Sequence, residues 1–393
     1  MKSVKLDQVK VGDTLGKSLF NEKGDLMLAA GYELTQDMLY LLKKHGYRSL
    51  YLFDEATKDI KPLDVISDVV RAATTKRMND SYGEVAKSLD RVHTSPLHLK
   101  HRLADDPSLK KILPVGEINK AVSGLVEELL DNNVSLLTSL PIKTEIGKAF
   151  EHSIDTAILA ILLGQQFNYE YKELKLLGSA ALLHDIGKMV FPQLLGKPEF
   201  MLSFQEKWLL REHPTYSMLI LKGSDPHSYV EQTTILQHHE RPDGKGFPQG
   251  LKGDNAAPVK ALEVDPTRIF RHAEILAVAN AYDNYLAGEF DGKPHTPQSA
   301  VSEMVAGAGS IFNPHVLRAL TKVVQFFPQG CEIRIRATSS GKWDGARGYV
   351  KEANPHEYAK PVVLITFDAR GNAIDPEEVD LKSEKEAHLE LIL

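Results

Sequence analysis

The stretch Leu183-His184-Asp185-Ile186-Gly187-Lys188 decides how this chain is read. An imidazole beside a carboxylate is hard to account for as packing, because each buried polar group needs a partner and two together need several. A second cluster, His238-His239-Glu240, follows later in the chain. A metal ion, or a pair of them, supplies such partners at once. Imidazole nitrogens and carboxylate oxygens suit first-row transition metals such as iron, manganese and zinc.

Further histidines lie on either side of this stretch. His152 sits near the start of an apolar helical run, Glu151 to Gly164, and His213 occurs in Arg211-Glu212-His213-Pro214. The stripe Leu177, Ala181, His184, Lys188 has helical spacing, and Gly187 reads as a helix stop. After the His-His pair, Arg241-Pro242-Asp243-Gly244-Lys245-Gly246-Phe247-Pro248 must be a loop, since its prolines and glycines cannot continue a helix.

Four regions are expected. Residues 1–57 read as a small α/β regulatory module, with strand-like Leu26 to Ala29 and Tyr47 to Phe53. A short helix beginning at Thr35 carries Leu34, Met38, Leu41 and Leu42 on one side. Residues 58–140 form a helical linker region, where Val122, Leu125, Val126, Leu129 and Leu130 make one apolar stripe. Such stripes are mostly core; the minority reading makes 115–140 a homodimer seam. Residues 141–327 are helix-rich and hold every candidate ligand. From 328 the period changes, with Ile333 and Ile335 alternating with Arg334 and Arg336 in a small C-terminal β module.

Bulk properties narrow the function. The 393 residues are 42% hydrophobic and 25% charged, as in a soluble globular protein. A formal charge of −6 argues against general nucleic-acid affinity. The single cysteine, Cys331, excludes an internal disulfide framework and suits the reducing cytoplasm. The run Ala157 to Gly164 is too short to span a membrane, so no membrane insertion is expected.

Taken in order, these motifs resemble the HD-GYP branch of the HD phosphohydrolase superfamily over roughly His152 to Pro314. The resemblance is carried by Leu183 to Lys188, Pro192, Lys197, His213-Pro214, His238-His239-Glu240, Asp243 to Pro248, Ala277 to Asp283 and Phe312-Asn313-Pro314. It implies a mainly α fold: an HD-type helical bundle around a metal centre, with the small β-containing modules at its two ends. It further implies hydrolysis of cyclic di-GMP to pGpG or GMP. Two divalent transition metal ions, iron or manganese, would be held by His152, His184, Asp185, His213, His238, His239 and Asn280. Asp185 would bridge them, a hydroxide between them would attack phosphorus, and Lys188 would face the substrate phosphate. Asp283 would act near the metal centre, while Gly246 and Phe247 would contact substrate, the Phe247 ring packing on a guanine face.

The departures from the family pattern matter as well. Phe247 stands where the family has its tyrosine, and Asn280 where it has a ligating aspartate; an amide oxygen coordinates more weakly than a carboxylate. Lys148 occupies the place of a glutamate that holds a third metal in some members, which favours two ions. The family's arginines after the Tyr-Asp segment are absent from Ala287 to His295, and an insertion around Asn255 to Thr267 alters the rim. The rival readings are a degenerate member working by nucleotide or protein binding, and a phosphohydrolase with another nucleotide substrate.

Overall fold

The structure is a computed structural model. It describes residues 1–392 apart from 22, 48, 63, 93–94, 133–136, 138–147, 260–264, 355–356 and 358, and apart from the side chains of 97 and 148–150. Strands β1 (Lys2–Lys5), β2 (Thr14–Leu15), β3 (Leu19–Phe20), β4 (Leu26–Leu28) and β5 (Ser49–Phe53) and helix α1 (Gln36–Lys44) build the N-terminal module. Helices α2 (Asp68–Asp90), α3 (Pro96–Asp105), α4 (Val115–Asp131), α5 (Lys148–Gln166) and α6 (Tyr171–Leu183) follow. Then come α7 (Phe204–Leu210), α8 (His213–Ser224), α9 (Tyr229–Gln237), α10 (Arg271–Ala287), α11 (Pro297–Ala306) and α12 (Pro314–Val323). Strands β6 (Glu332–Thr338), β7 (Arg347–Glu352), β8 (Val362–Phe367), β9 (Ala373–Asp380) and β10 (Ala387–Leu391) close the chain. The fold is mainly α, a helical bundle with small sheets at both ends.

The longest apolar run of the sequence is the axis of that bundle. Every residue from Ala157 to Leu163 on α5 is buried, so the helix is apolar all round rather than amphipathic. It packs between α6 and α10. Truncating one of its leucines to alanine costs about 2–5 kcal/mol, the usual range for a fully buried site.

The region expected as a linker shares this core. Met78, Tyr82 and Val85 of α2 and Val122, Leu125, Val126 and Leu129 of α4 are buried in the same cluster as α5 and α6. The α4 stripe is thus spent inside the chain, against α2 and α6, rather than left open as a dimer seam; Leu130 is its exposed member. In the N-terminal module, Thr35 caps α1 as expected, accepting from the Met38 amide. The buried face of α1 differs from the expected one, however: Leu42 is buried and Leu39 packs beside it, while Leu41 points to solvent.

The C-terminal sheet is antiparallel in the order β10-β6-β7-β8-β9. Ile333 and Ile335 face its core together with Val350, Val363 and Ile365, as the alternation on β6 requires. Its core is separate from that of the bundle, the division falling between Val324 and Phe327.

Candidate metal centre

Helix ends build this site. The last carbonyls of a helix lack intrahelical donors, and at the end of α6 three such groups find side-chain partners. Ala181 O accepts from His184 Nδ1 at 2.7 Å, Leu182 O from the Tyr82 hydroxyl at 2.9 Å, and His184 O from the Ser217 hydroxyl at 2.8 Å. The same Ser217 oxygen accepts from Gly187 N at 2.8 Å, which ties α8 to the turn after α6. Gly187 is more than a helix stop. A Cβ there would lie 2.2 Å from His213 O and 2.6 Å from Ser217 N, so only glycine lets α8 bring His213 this close.

His213 and His238 repeat the pattern of His184. His213 Nδ1 donates to Leu210 O at 2.7 Å at the end of α7, and His238 Nδ1 to Ile235 O at 2.6 Å at the end of α9. His152, on α5, instead bonds through Nδ1 to Asp283 Oδ2 at 2.8 Å. Each Nδ1 proton is thereby engaged, leaving Nε2 of the neutral ring as a bare lone pair. These lone pairs converge. His152 Nε2 lies 3.3 Å from His184 Nε2, and His213 Nε2 lies 3.3 Å from His238 Nε2.

Asp185 sits between the two pairs. Its Oδ2 is 3.6 Å from His152 Nε2 and 3.5 Å from His184 Nε2, while its Oδ1 is 3.1 Å from His213 Nε2. Two groups therefore have ligand atoms within 4.8 Å of one another: His152 with His184 and Asp185, and His213 with His238 and His239. Facing lone pairs repel unless a cation lies between them, so this donor set fits divalent ions.

Electrostatics agree with that fit. Burial pushes His184 down to about 4 and holds His238 and His239 well below the usual imidazole range, so these rings are neutral donors. For Asp185, burial works toward the neutral acid, but His184, Lys188 and His213 outweigh it and hold the carboxyl well below its ordinary value. Lys188 Nζ lies 2.5 Å from Asp185 Oδ2, so the cation expected at the substrate phosphate already bonds the carboxylate.

The remaining expected residues lie around one cavity of about 420 Å³. Asn280 is buried on α10, and its amide oxygen accepts from Asn284 Nδ2 at 2.8 Å. Asp283, one turn on, is bonded to His152 and so orients that ring. Gly246 packs against backbone: a Cβ would lie 2.4 Å from Arg241 N. Phe247 stacks on His239, with ring centroids 4.6 Å apart and planes 16° apart, and the Arg211 guanidinium lies over the ring at 5.4 Å. That ring thus has protein neighbours of its own. Glu240 holds the loop in place by accepting from the amides of Gln249, Gly250 and Leu251 at 2.6, 3.2 and 2.9 Å. The Lys148 expectation concerns a side chain outside the described residues, as does the part of the 255–267 insertion at 260–264.

Sequence reasoning missed the rim. Lys207, Arg211, Arg241 and Lys245 all line the cavity, yet they come from two separate segments, and nothing in their spacing marks them as a set. Arg211 carried one available signal, its position two residues before His213.

Residues 125–316 match the HD domain family. A cyclic di-GMP phosphodiesterase of Pseudomonas aeruginosa is 30% identical over 262 residues, 65% of this chain and 58% of that protein. A cyclic di-GMP phosphodiesterase response regulator of Xanthomonas campestris is 29% identical over 42% of this chain and 40% of its own length. A 3'3'-cGAMP-specific phosphodiesterase of Vibrio cholerae is 28% identical over 43% of this chain and 30% of its own length. The match thus spans between 30% and 58% of the length of these relatives. The HD match begins inside α4, within the region expected as a linker, and encloses every histidine of the cluster and the loop at Phe247. Residues 125–316 are thus similar to the HD domain family, and the relatives matched are named as cyclic dinucleotide phosphodiesterases.

Proposed function

We propose that this protein is a metal-dependent phosphodiesterase that hydrolyses cyclic di-GMP to pGpG or GMP. The observation that carries this reading is the pair of facing Nε2 lone pairs with Asp185 between them. In this reading, His152, His184 and Asp185 would hold one divalent ion and Asp185, His213, His238 and His239 the other. The ions would be iron or manganese, and Asn280 would be a neutral ligand. Two such ions, when bound, lower the pKa of a water and neutralise phosphoryl oxygens.

The chain's own residues do the rest. The backbone carbonyls of Ala181, Leu210 and Ile235 fix three rings, and Asp283 fixes the fourth, so the donors are in position before substrate arrives. Asp185 spans both groups of donors. Lys188, bonded to Asp185, keeps a positive charge beside the place a phosphoryl group occupies. The names of the relatives support the cyclic dinucleotide class. Among the described residues no helix is long and apolar enough to cross a membrane; with one buried cysteine, we place the activity in the cytoplasm.

A second reading, nucleotide binding without turnover, is favoured by Asn280, whose neutral amide is already tied to Asn284. One experiment separates the two: metal analysis of anaerobically purified protein beside a cyclic di-GMP turnover assay. Metal with turnover supports the enzyme. Cyclic di-GMP binding without turnover, in metal-loaded protein, supports the second reading.

A further inference from the structure

We propose that Arg211, with Lys207 and Lys245, forms a second anion site at the cavity rim that holds the phosphate of a cyclic dinucleotide that is not being cleaved. This inference rests on the substrate class proposed above. It starts from a contrast among the cations lining the cavity. Lys188 is paired with Asp185, Lys197 with Glu206 and Arg241 with Asp243. Among the described residues, no carboxylate lies within ion-pair distance of Lys207, Arg211 or Lys245. Lys207 and Arg211 stand one helical turn apart at the end of α7, where their like charges repel. Lys245 comes from the loop that carries Phe247. Three cations with no counter-ion among the described residues, around one opening, leave a place for an anion.

Arg211 is the member whose place is fixed. Its guanidinium lies over Phe247, and Phe247 stacks on His239 of the metal cluster. Through this stack the planar fork is held at a set position relative to the cluster, which reduces the entropy lost when it binds. Arginine pairs with phosphate through two parallel N–H donors, a geometry that suits a phosphodiester. A cyclic dinucleotide carries two phosphodiesters on one ring, so when one lies at the buried donors the other must lie elsewhere in the cavity. Leu195, Leu202 and Phe290 supply apolar wall in the same cavity for its purines.

The test is equilibrium binding of the phosphorothioate analogue of cyclic di-GMP to the full metal-loaded chain, using wild type, Arg211→Ala and Arg211→Lys. Metal content and melting temperature are measured on the same samples. Arg211→Ala should bind about 10- to 100-fold more weakly, the loss of a charge-assisted contact. Arg211→Lys should fall between it and wild type, and metal content should be unchanged in both. Arg211→Ala binding as tightly as wild type would overturn the inference while leaving the proposed function intact. So would weaker binding accompanied by loss of metal or of melting temperature, since Arg211 would then be structural. A wild-type chain that holds metal but binds none of the analogue would overturn both.

Discussion

The floor of the cavity and its rim are built on different principles. The floor is buried, and three of its rings are fixed by a local bond: a histidine at a helix end donates to the carbonyl three residues before it, as His184, His213 and His238 all do. The rim is open to solvent at Arg211 and Lys245. Its cations come from α7 and the loop after His239, and an aromatic stack rather than a counter-ion positions Arg211. The floor can therefore be built from short motifs, whereas the rim exists only after tertiary folding. Substitutions in the floor should change metal, and those in the rim should change substrate binding and leave metal alone.

The largest separation is expected at Asp283. Its bond to His152 Nδ1 makes it a support for a ring of the proposed metal centre, so Asp283→Ala should weaken metal binding about 10- to 100-fold. A chelator titration checks this. Full metal affinity with lost turnover would instead make Asp283 a group that acts on the reacting atoms.

Stability should depend on pH through a group outside both regions. Burial pushes the Glu274 carboxyl up to about 7, against the pull of Asn313 and Arg271. A carboxyl whose folded value is raised favours the fold fully below its unfolded value near 4.5, and that contribution is lost as pH rises through about 7. Glu274→Gln should therefore stabilise metal-free protein at pH 8–9 by on the order of 2 kcal/mol, and have little effect at about pH 4–5. Denaturant unfolding at the two pH values measures it. An equal effect at both would mean that Glu274 does not titrate in this range.

Asn280 should give a smaller change of opposite sign to that at Asp283. Restoring a carboxylate with Asn280→Asp adds one negative charge to the donor set and should tighten metal binding by about tenfold. If the same titration shows weaker binding, Asn280 is no ligand and serves only its bond to Asn284. The smallest effect belongs to the rim. Phe247→Leu removes the ring beneath Arg211, worth about 0.5–1 kcal/mol, and should raise KM for cyclic di-GMP roughly two- to fivefold with metal content unchanged. Loss of metal in this variant would move Phe247 to the floor, as the support of His239.

How far the sequence could be read follows the same division. His184-Asp185 and His238-His239 stood out in the sequence as adjacent ligand-type pairs, whereas His152 and His213 joined them only through the resemblance to the HD-GYP family. The service of Asp283 to His152 was not legible, since the two are 131 residues apart and meet only when α10 packs on α5. Gly187 read as a helix stop because the approach of α8 is a tertiary fact. Hydrophobic spacing placed the α4 stripe on one face but could not say whether its partner was this chain or another. Lys207, Arg211 and Lys245 look like solvated surface charge in any linear reading, and their shared cavity appears only in three dimensions.

The central claim is that one carboxylate, Asp185, is shared by two divalent ions. Elemental analysis of anaerobically prepared wild type and Asp185→Ala tests it most directly. We expect about two ions per wild-type chain, as in two-metal hydrolases, and fewer than about one in the variant, with turnover at background, because removing a bridge weakens both sites. Full occupancy in Asp185→Ala, or no metal in wild type, would contradict the account.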